Sequence, residues 1–211
     1  MFRKIIVKTG VAIGYLASFL LTKKIFWLIR LIRDSIYSGW IKPSLKSVGR
    51  DFSVQYPIEH VGLKFISVGN NFSCFSRLRI EAFDKHLSNL YAPVIKIGSG
   101  VSINYDCHIA CVNQVEIGDN VLIASKVFIT DHAHGKAEIS MLGTPPSERI
   151  VLSKGPVKIE NNVWIGEGVA ILPNVTIGEN SIIGANAVVT KSFPKNSLIG
   201  GNPAKLIKTI E

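Results

Sequence analysis

The chain has 211 residues, of which 47% are hydrophobic and 18% charged, and a formal net charge of +9. That length accommodates one domain with a sizeable core plus an appendage. The charge is concentrated, because residues 1–46 hold nine basic side chains and one acid (Asp34), a net of +8, while the rest of the chain carries +1. This distribution argues against a nucleic-acid groove along the body of the chain and places the basicity in the N-terminal segment.

In chain order, residues 1–21 are apolar with basic interruptions at Arg3, Lys4 and Lys8. The uninterrupted run from Thr9 to Thr22 is shorter than the roughly 20 residues of a simple membrane span. A signal peptide has the same order of basic and apolar regions, but Lys23 and Lys24 follow in place of a small-residue cleavage site. Residues 25–38 read as a second helix. Ile25, Leu28, Ile29, Ile32 and Ile36 share one face, Arg30, Arg33 and Asp34 lie elsewhere, and Gly39 and Pro43 are expected to end it.

From residue 47 the pattern changes. Ser47–Val54 (SVGRDFSV) and Ser67–Cys74 (SVGNNFSC) are near-copies. Residues 83–93 interrupt as a loop, blocks of six resume at Ile97, Ile103 and Ile109, and two extra residues shift the phase before Ile117, Ile123 and Ile129. A long break runs over 135–156. Its Thr144-Pro145-Pro146 and Lys154-Gly155-Pro156 stretches predict a loop without a strand. The repeat then returns in its clearest form. Ile159, Ile165, Ile171, Ile177 and Ile183 open successive blocks, and Val163, Val169, Val175, Ser181, Ala187 and Phe193 stand four positions later. Gly166, Gly178 and Gly184 take the second position, and with the asparagines they are expected at corners where positive φ is needed.

Three blocks make one triangular turn of about 18 residues, with two inward side chains per block stacking into a continuous column. A helix does not fit an i, i+4, i+6 apolar pattern rich in β-branched residues and glycine. Cys74 and Cys107 fall on inward positions, and with Cys111 they form no Cys-x-x-Cys pair, so buried thiols of a reducing compartment are expected.

Chemistry concentrates before the long break, at Asp131-His132-Ala133-His134-Gly135. A histidine where a regular coil gives way to a protruding loop stands at a cleft wall, and its near-neutral pKa suits a general base. A histidine that only holds the loop would look the same. His132 and His134 also point the same way on an extended segment, as metal ligands would, but no third ligand has motif spacing and no metal is expected.

Asp119–Ala124 (DNVLIA), Asp131–Gly135 (DHAHG), Gly155–Gly166 (GPVKIENNVWIG), Ile182–Lys191 (IIGANAVVTK) and Gly201–Lys205 (GNPAK) resemble the hexapeptide-repeat acetyltransferases. The branch most like it holds maltose and galactoside O-acetyltransferases and enzymes that modify bacterial surface polysaccharides. The resemblance covers about residues 47–211. It implies an all-β fold, a left-handed parallel β-helix, assembled as a homotrimer with active sites between subunits and acetyl-CoA as co-substrate. It also implies roles. His132 matches the catalytic base, Asn104 matches an acceptor-sugar contact, and His134 is placed on the acceptor side. Trp164 matches a tryptophan beside the CoA, Ala185 and Thr190 match positions along the pantetheine arm, and Lys191 and Lys205 are candidates for the CoA phosphates. A plain corner asparagine at 104, a packing role for Trp164 and solvated lysines remain open readings.

The expectation is therefore a CoA-dependent O-acetyltransferase domain over 47–211, with a loop extruded at 135–156, acting on a sugar hydroxyl in surface-polysaccharide synthesis. An N-acetyltransferase on an amino sugar or drug, a metal hydratase of the γ-carbonic-anhydrase kind and a silent scaffold are the competing readings. Residues 1–40 are read either as an anchor on the cytoplasmic face of a membrane, where a lipid-linked saccharide would be met, or as a cap on the open end of the coil.

Overall fold

A computed structural model describes residues 2–20 and 22–211; Met1 and Leu21, both in the apolar run above, lie outside the described residues. From Ser47 onward the chain visits three sheets in fixed rotation, each strand pairing in parallel with the strand one turn earlier and one turn later. The near-copies are indeed one turn apart, with Ser47 opposite Ser67 and Ser53 opposite Ser73. The phase shift also reappears in space. Ile97 pairs with Ile117, a step of 20 residues, whereas Ile159 pairs with Ile177, a step of 18.

The inward column is continuous. Ile159, Ile165, Ile171, Ile177 and Ile183 are all at most 1% exposed, and Val163, Val169, Val175 and Ala187 bury the alternate positions. Each fully buried isoleucine contributes about 1.5–3 kcal/mol over leaving it in water, so the column is the main source of stability. Corner positions divide the work that the sequence attributed jointly to glycine and asparagine. Positive φ falls on Asn162, Gly168, Asn174, Asn180 and Asn186, the fourth residue of each block. Gly166, in the second position, has no positive φ. A Cβ there would stand 2.7 Å from the Ala185 nitrogen, so glycine is required by the close approach of the next rung. All three cysteines are buried free thiols.

Two interruptions leave the coil, at the same corner of the triangle. Residues 83–93 stand between the third-sheet strand Arg79–Ala82 and the first-sheet strand Val94–Ile97, and form a small hairpin, Lys85–His86 against Asn89–Leu90. The long break stands between Phe128–Thr130 of the third sheet and Val157–Ile159 of the first. Contrary to the expectation, it does contain a strand. Val151–Ser153 pairs antiparallel with His132–His134. The prolines that argued against a strand, at 145, 146 and 156, all fall outside those three residues.

The N-terminal segment forms α1 (Phe2–Leu20) and α2 (Lys23–Ile41). Helix α2 runs past Gly39 and ends at Ile41, followed by a single 3₁₀ turn, Lys42–Ser44, that contains Pro43. An exposed glycine weakens a helix by only about 1 kcal/mol, so docking decides its end. The docked face is the polar one. The first turn of the coil has no earlier rung to pair with, and α2 supplies the missing partners. Ser38 Oγ accepts the Val54 N–H at 2.8 Å, and Asp34 Oδ1 accepts the Tyr56 N–H at 3.1 Å. The Tyr37 hydroxyl donates to the Ile58 carbonyl at 3.3 Å, and Ile41, 2% exposed, plugs the core. Covering a sheet edge in this way removes its unpaired backbone groups. Ile25, Leu28, Ile29, Ile32 and Ile36 do share a face, but that face is turned outward and is 38–68% exposed.

Candidate active site

The corner that both interruptions leave is crossed, one turn between them, by a tight corner after His108–Cys111. There the backbone N–H groups of Val112, Asn113 and Gln114 converge on one point. The Asp131 carboxylate occupies it. The side chain is fully buried, its Oδ2 accepts from Asn113 and Gln114 at 2.7 Å each, and its Oδ1 accepts from Val112 at 3.0 Å. Successive N–H groups aimed at one place make an anion-binding nest. Burial works to raise the Asp131 pKa, but the hydrogen bonds from His132, Val112, Asn113 and the Cys111 thiol outweigh it and hold the carboxyl below its ordinary range. Burial, followed by the carboxylate beside it, pushes the Cys111 thiol upward, so that thiol is a poor nucleophile.

The remaining lone pairs of Asp131 Oδ1 face His132 Nδ1 at 2.8 Å. A carboxylate only accepts, so Nδ1 carries the proton in neutral His132 and Nε2 is left with its lone pair. Nε2 makes no hydrogen bond among the described residues, and the imidazole is largely buried, with 11% of the side chain exposed. Thr130 Oγ1 accepts the His132 backbone N–H at 3.3 Å and fixes the step from the strand into the loop. The arrangement is a buried carboxylate orienting an imidazole whose other nitrogen is free to take a proton.

Both interruptions wall this dyad. The Phe83 ring stands edge-on to His132, with centroids 6.4 Å apart. His86 meets His134 edge-on at 5.5 Å, and its Nε2 lies 3.2 Å from the Arg149 carbonyl. The Tyr91 hydroxyl donates to the Val151 carbonyl at 2.9 Å. The hairpin therefore braces the strand that pairs with His132–His134. The sequence placed Asp131 in the motif without giving it a role, and it singled out neither Phe83 nor His86. The signal available was that both interruptions fall after a third-sheet strand and so share a corner.

Of the other expected residues, Thr190 and Lys191 lie on the same corner as His132, two rungs further along, and both are exposed. Asn104 and Ala185 lie on a different corner, between the second and third sheets. Asn104 donates to the Ile123 carbonyl at 3.0 Å, which ties its corner to the next rung, and does not have positive φ. Trp164 stands on the outer face of the second sheet, 51% exposed, in register with Leu122 and Ile182. Lys205 opens the C-terminal antiparallel strand Lys205–Thr209. A four-residue strand at about 3.3 Å per residue, roughly 13 Å, separates the Asn104 corner from that of His132 within one chain.

His108 bonds Glu81 at 3.0 Å and does not join His132 and His134; among the described residues no three His, Cys, Asp or Glu side chains form a metal set. A groove of about 520 Å³ crosses the first sheet. Both of its lysines are paired with carboxylates, Lys96 with Glu116 at 3.0 Å and Lys158 with Glu160 at 3.3 Å, so the buried dyad is the stronger candidate for chemistry.

Comparison with known proteins agrees with the repeat architecture. Residues 156–191 match the family model described as bacterial transferase hexapeptide (six repeats). The chain is 42% identical over 147 residues, 68% of its own length and 71% of the relative's, to the putative lipopolysaccharide biosynthesis O-acetyl transferase WbbJ of Escherichia coli K12. Among solved structures, a maltose O-acetyltransferase from Clostridium difficile 630 superposes with a TM-score of 0.55 at 32% identity, covering 82% of this chain and 74% of that one. A galactoside acetyltransferase in complex with coenzyme A superposes with a TM-score of 0.52 at 28% identity, covering 82% and 69%. Taken with the repeat architecture, these matches establish that the chain belongs to the hexapeptide-repeat acetyltransferase family.

Proposed function

We propose that this protein transfers the acetyl group of acetyl-CoA to a hydroxyl of a sugar during the building of a surface polysaccharide. The observation that carries the reading is the Asp131–His132 dyad, with its carboxylate held in the backbone nest and His132 Nε2 left unpartnered among the described residues. His132 takes the proton of the acceptor hydroxyl as that oxygen attacks the thioester carbonyl. The tetrahedral intermediate collapses to the acetyl ester, the C–S bond breaks, and His132 returns the proton to the CoA sulfur. Asp131 keeps the imidazole in the required tautomer and stabilises its charged form without itself taking a proton. No covalent acetyl-enzyme is needed, since aligned substrates and a positioned base suffice.

The reading extends to assembly. Asn104 and Ala185 stand on one corner and His132, Thr190 and Lys191 on another, so one copy does not bring them to one place. In a homotrimer of left-handed coils, the Asn104 corner of one subunit would face the His132 corner of the next. Asn104 and His134 then address the acceptor, and Trp164, Ala185, Thr190, Lys191 and Lys205 line the path of CoA. We divide the chain into an appendage, residues 1–46, and an acetyltransferase domain, residues 47–211, whose 135–156 loop covers the acceptor side. We place the enzyme at the cytoplasmic face of the membrane, where acetyl-CoA meets a lipid-linked saccharide. Scoring thiol release from acetyl-CoA against free sugars, amino sugars and lipid-linked oligosaccharides, with the product mapped by NMR, tests the proposal. A base-stable amide product, or turnover with no saccharide, would sink it.

A further inference from the structure

We infer that the outward face of α2, together with α1, docks on an anionic lipid surface, with the first turn of the coil toward the bilayer. The inference rests on the placement proposed above only for the side of the membrane, and otherwise stands on the helices alone. Over its C-terminal half helix α2 is divided lengthwise, while Phe26, Trp27 and Leu31, on the side away from the stripe, add exposed apolar surface to its N-terminal part. Lys23, Arg30, Arg33, Asp34, Tyr37, Ser38 and Ile41 fall on one side at helical spacing, and the C-terminal part of that side is the part bonded to the coil. Ile25, Leu28, Ile29, Ile32, Ile36 and Trp40 fall on the other side and are 38–68% exposed. A helix of a water-borne domain turns such a stripe to the core. Here the capping of the first turn by Asp34, Ser38 and Tyr37 fixes the helix the other way, so the stripe faces outward by construction. Helix α1 carries apolar side chains around its circumference, with Phe2, Ile5, Ile6, Val11, Ile13 and Phe19 all more than half exposed.

Charge selects the occupant. The first acid of the chain is Asp34, already bonded to the Tyr56 N–H and to Arg33, and seven basic side chains precede it. Packing these helices against the same helices of a second copy would bring like charges together. An anionic bilayer instead takes the apolar stripe into its interface and the lysines and arginines among its headgroups. The depth follows from where the charges lie. Lys8 and Lys23–Lys24 bracket an apolar run, Thr9–Leu20, about 18 Å long as a helix against a hydrocarbon core of about 30 Å. Among the described residues no single helix is long and apolar enough to cross a membrane, and the bent pair of α1 and α2, which together have the length and composition of a broken span, is interrupted at its break by Lys23–Lys24. With lysines at the junction between the helices, that junction sits at headgroup level and both helices lie in the interface. The strand leading to His132 is the third rung beyond the edge strand Glu59–Val61, about 14 Å along the coil at usual strand spacing. A sugar close to its lipid anchor is within that reach.

The test is flotation of the full-length protein with vesicles of phosphatidylcholine containing phosphatidylglycerol, and with pure phosphatidylcholine. The wild type should float with the anionic vesicles and largely stay behind with the neutral ones. Ile32→Glu with Ile36→Glu, two exposed changes, should cut partition to anionic vesicles roughly tenfold or more with the melting temperature unchanged. Lys23→Ala with Lys24→Ala should cut it roughly thirtyfold, from two basic side chains near the surface. Equal flotation of wild type and the Ile32/Ile36 variant overturns the inference. So does a fall in sedimentation coefficient of that variant without vesicles, which would assign the stripe to contacts between copies.

Discussion

Replacing Asp131 by Asn tests the dyad most directly, because the change keeps the shape of the side chain and removes only its charge and one acceptor. In the native site Oδ2 takes two N–H bonds at 2.7 Å, while Oδ1 is shared between Val112 and His132. An amide has a single oxygen. Placing it at the Oδ2 position keeps two nest bonds and turns the NH₂ toward His132. Placing it at the Oδ1 position sets NH₂ donors against N–H donors, at about 1–3 kcal/mol for each group left unsatisfied. The first arrangement is therefore favoured. In it the introduced amide donates to Nδ1, the imidazole changes tautomer, and Nε2 now carries the proton and cannot act as a base. The expected loss in kcat is about 10²–10⁴-fold. Losing charge-assisted bonds costs about 1.5–3 kcal/mol, and at about 2–4 °C per kcal/mol for a chain of this size the melt should fall by several degrees. Thiol release at saturating acetyl-CoA gives kcat, and the KM for acetyl-CoA should hold. A folded Asp131→Asn variant with a lower melt and unchanged kcat would refute the reasoning, leaving Asp131 a purely structural anion.

His132→Ala should lower kcat by roughly 10²–10⁴-fold with little change in acetyl-CoA affinity, and His134→Ala should cost much less; a reversal in rate assays would move the base to His134. Ile171→Asp puts a charge where the native side chain is 0% exposed, and we expect no soluble folded protein, to be read by expression and circular dichroism. Asp131 is held below its ordinary range, so the unfolded chain binds its proton at the higher pH. The stability it contributes is full above about pH 4 and is lost as pH falls through the folded pKa. Acid melts of Asp131→Asn should accordingly be less steep in that window than those of the wild type. Sedimentation equilibrium at assay concentration should give a trimer, and an active monomer would contradict the intersubunit site.

The coil was legible because its signal is local and repeated. A branched apolar residue every six positions, with another four later, leaves one consistent inside, and Ile159 through Val189 bury as that pattern requires. The N-terminal helix was legible as an amphipathic stripe, but periodicity reports only that a stripe exists. Which side docks depends on Asp34 and Ser38 matching backbone groups of Tyr56 and Val54, some 22 and 16 residues away. Asp131 was legible as part of the Asp131–Gly135 motif, but its role was not, for a related reason. Its partners are backbone N–H groups, which carry no residue identity, brought to it from the previous turn. The strand Val151–Ser153 was hidden by prolines that flank it without entering it.

The same geometry explains how the site can differ from relative to relative without disturbing the coil. Register passes through both interruptions intact, with Val68 opposite Ile97 across one and Ile117 opposite Ile159 across the other. The inward isoleucines therefore stack as if the loops were absent. Asp131 and its nest belong to the coil side of this division, and His132 stands at the boundary, on the strand that pairs with Val151–Ser153. The nest is the corner that carries the two extra residues between Ile109 and Ile117, and Asp131 is the first residue beyond a third-sheet strand. Phe83, His86, His134 and Arg149 belong to the excursions, which brace one another through the Tyr91–Val151 and His86–Arg149 contacts. On the proposed function, the proton-transfer machinery is fixed by the repeat and acceptor choice by the two excursions. Exchanging 83–93 and 135–156 together for the matching segments of a relative should then change the sugar accepted while leaving the melt near that of the parent. Exchanging either alone should destabilise the loops, because each loses the partner it is braced against.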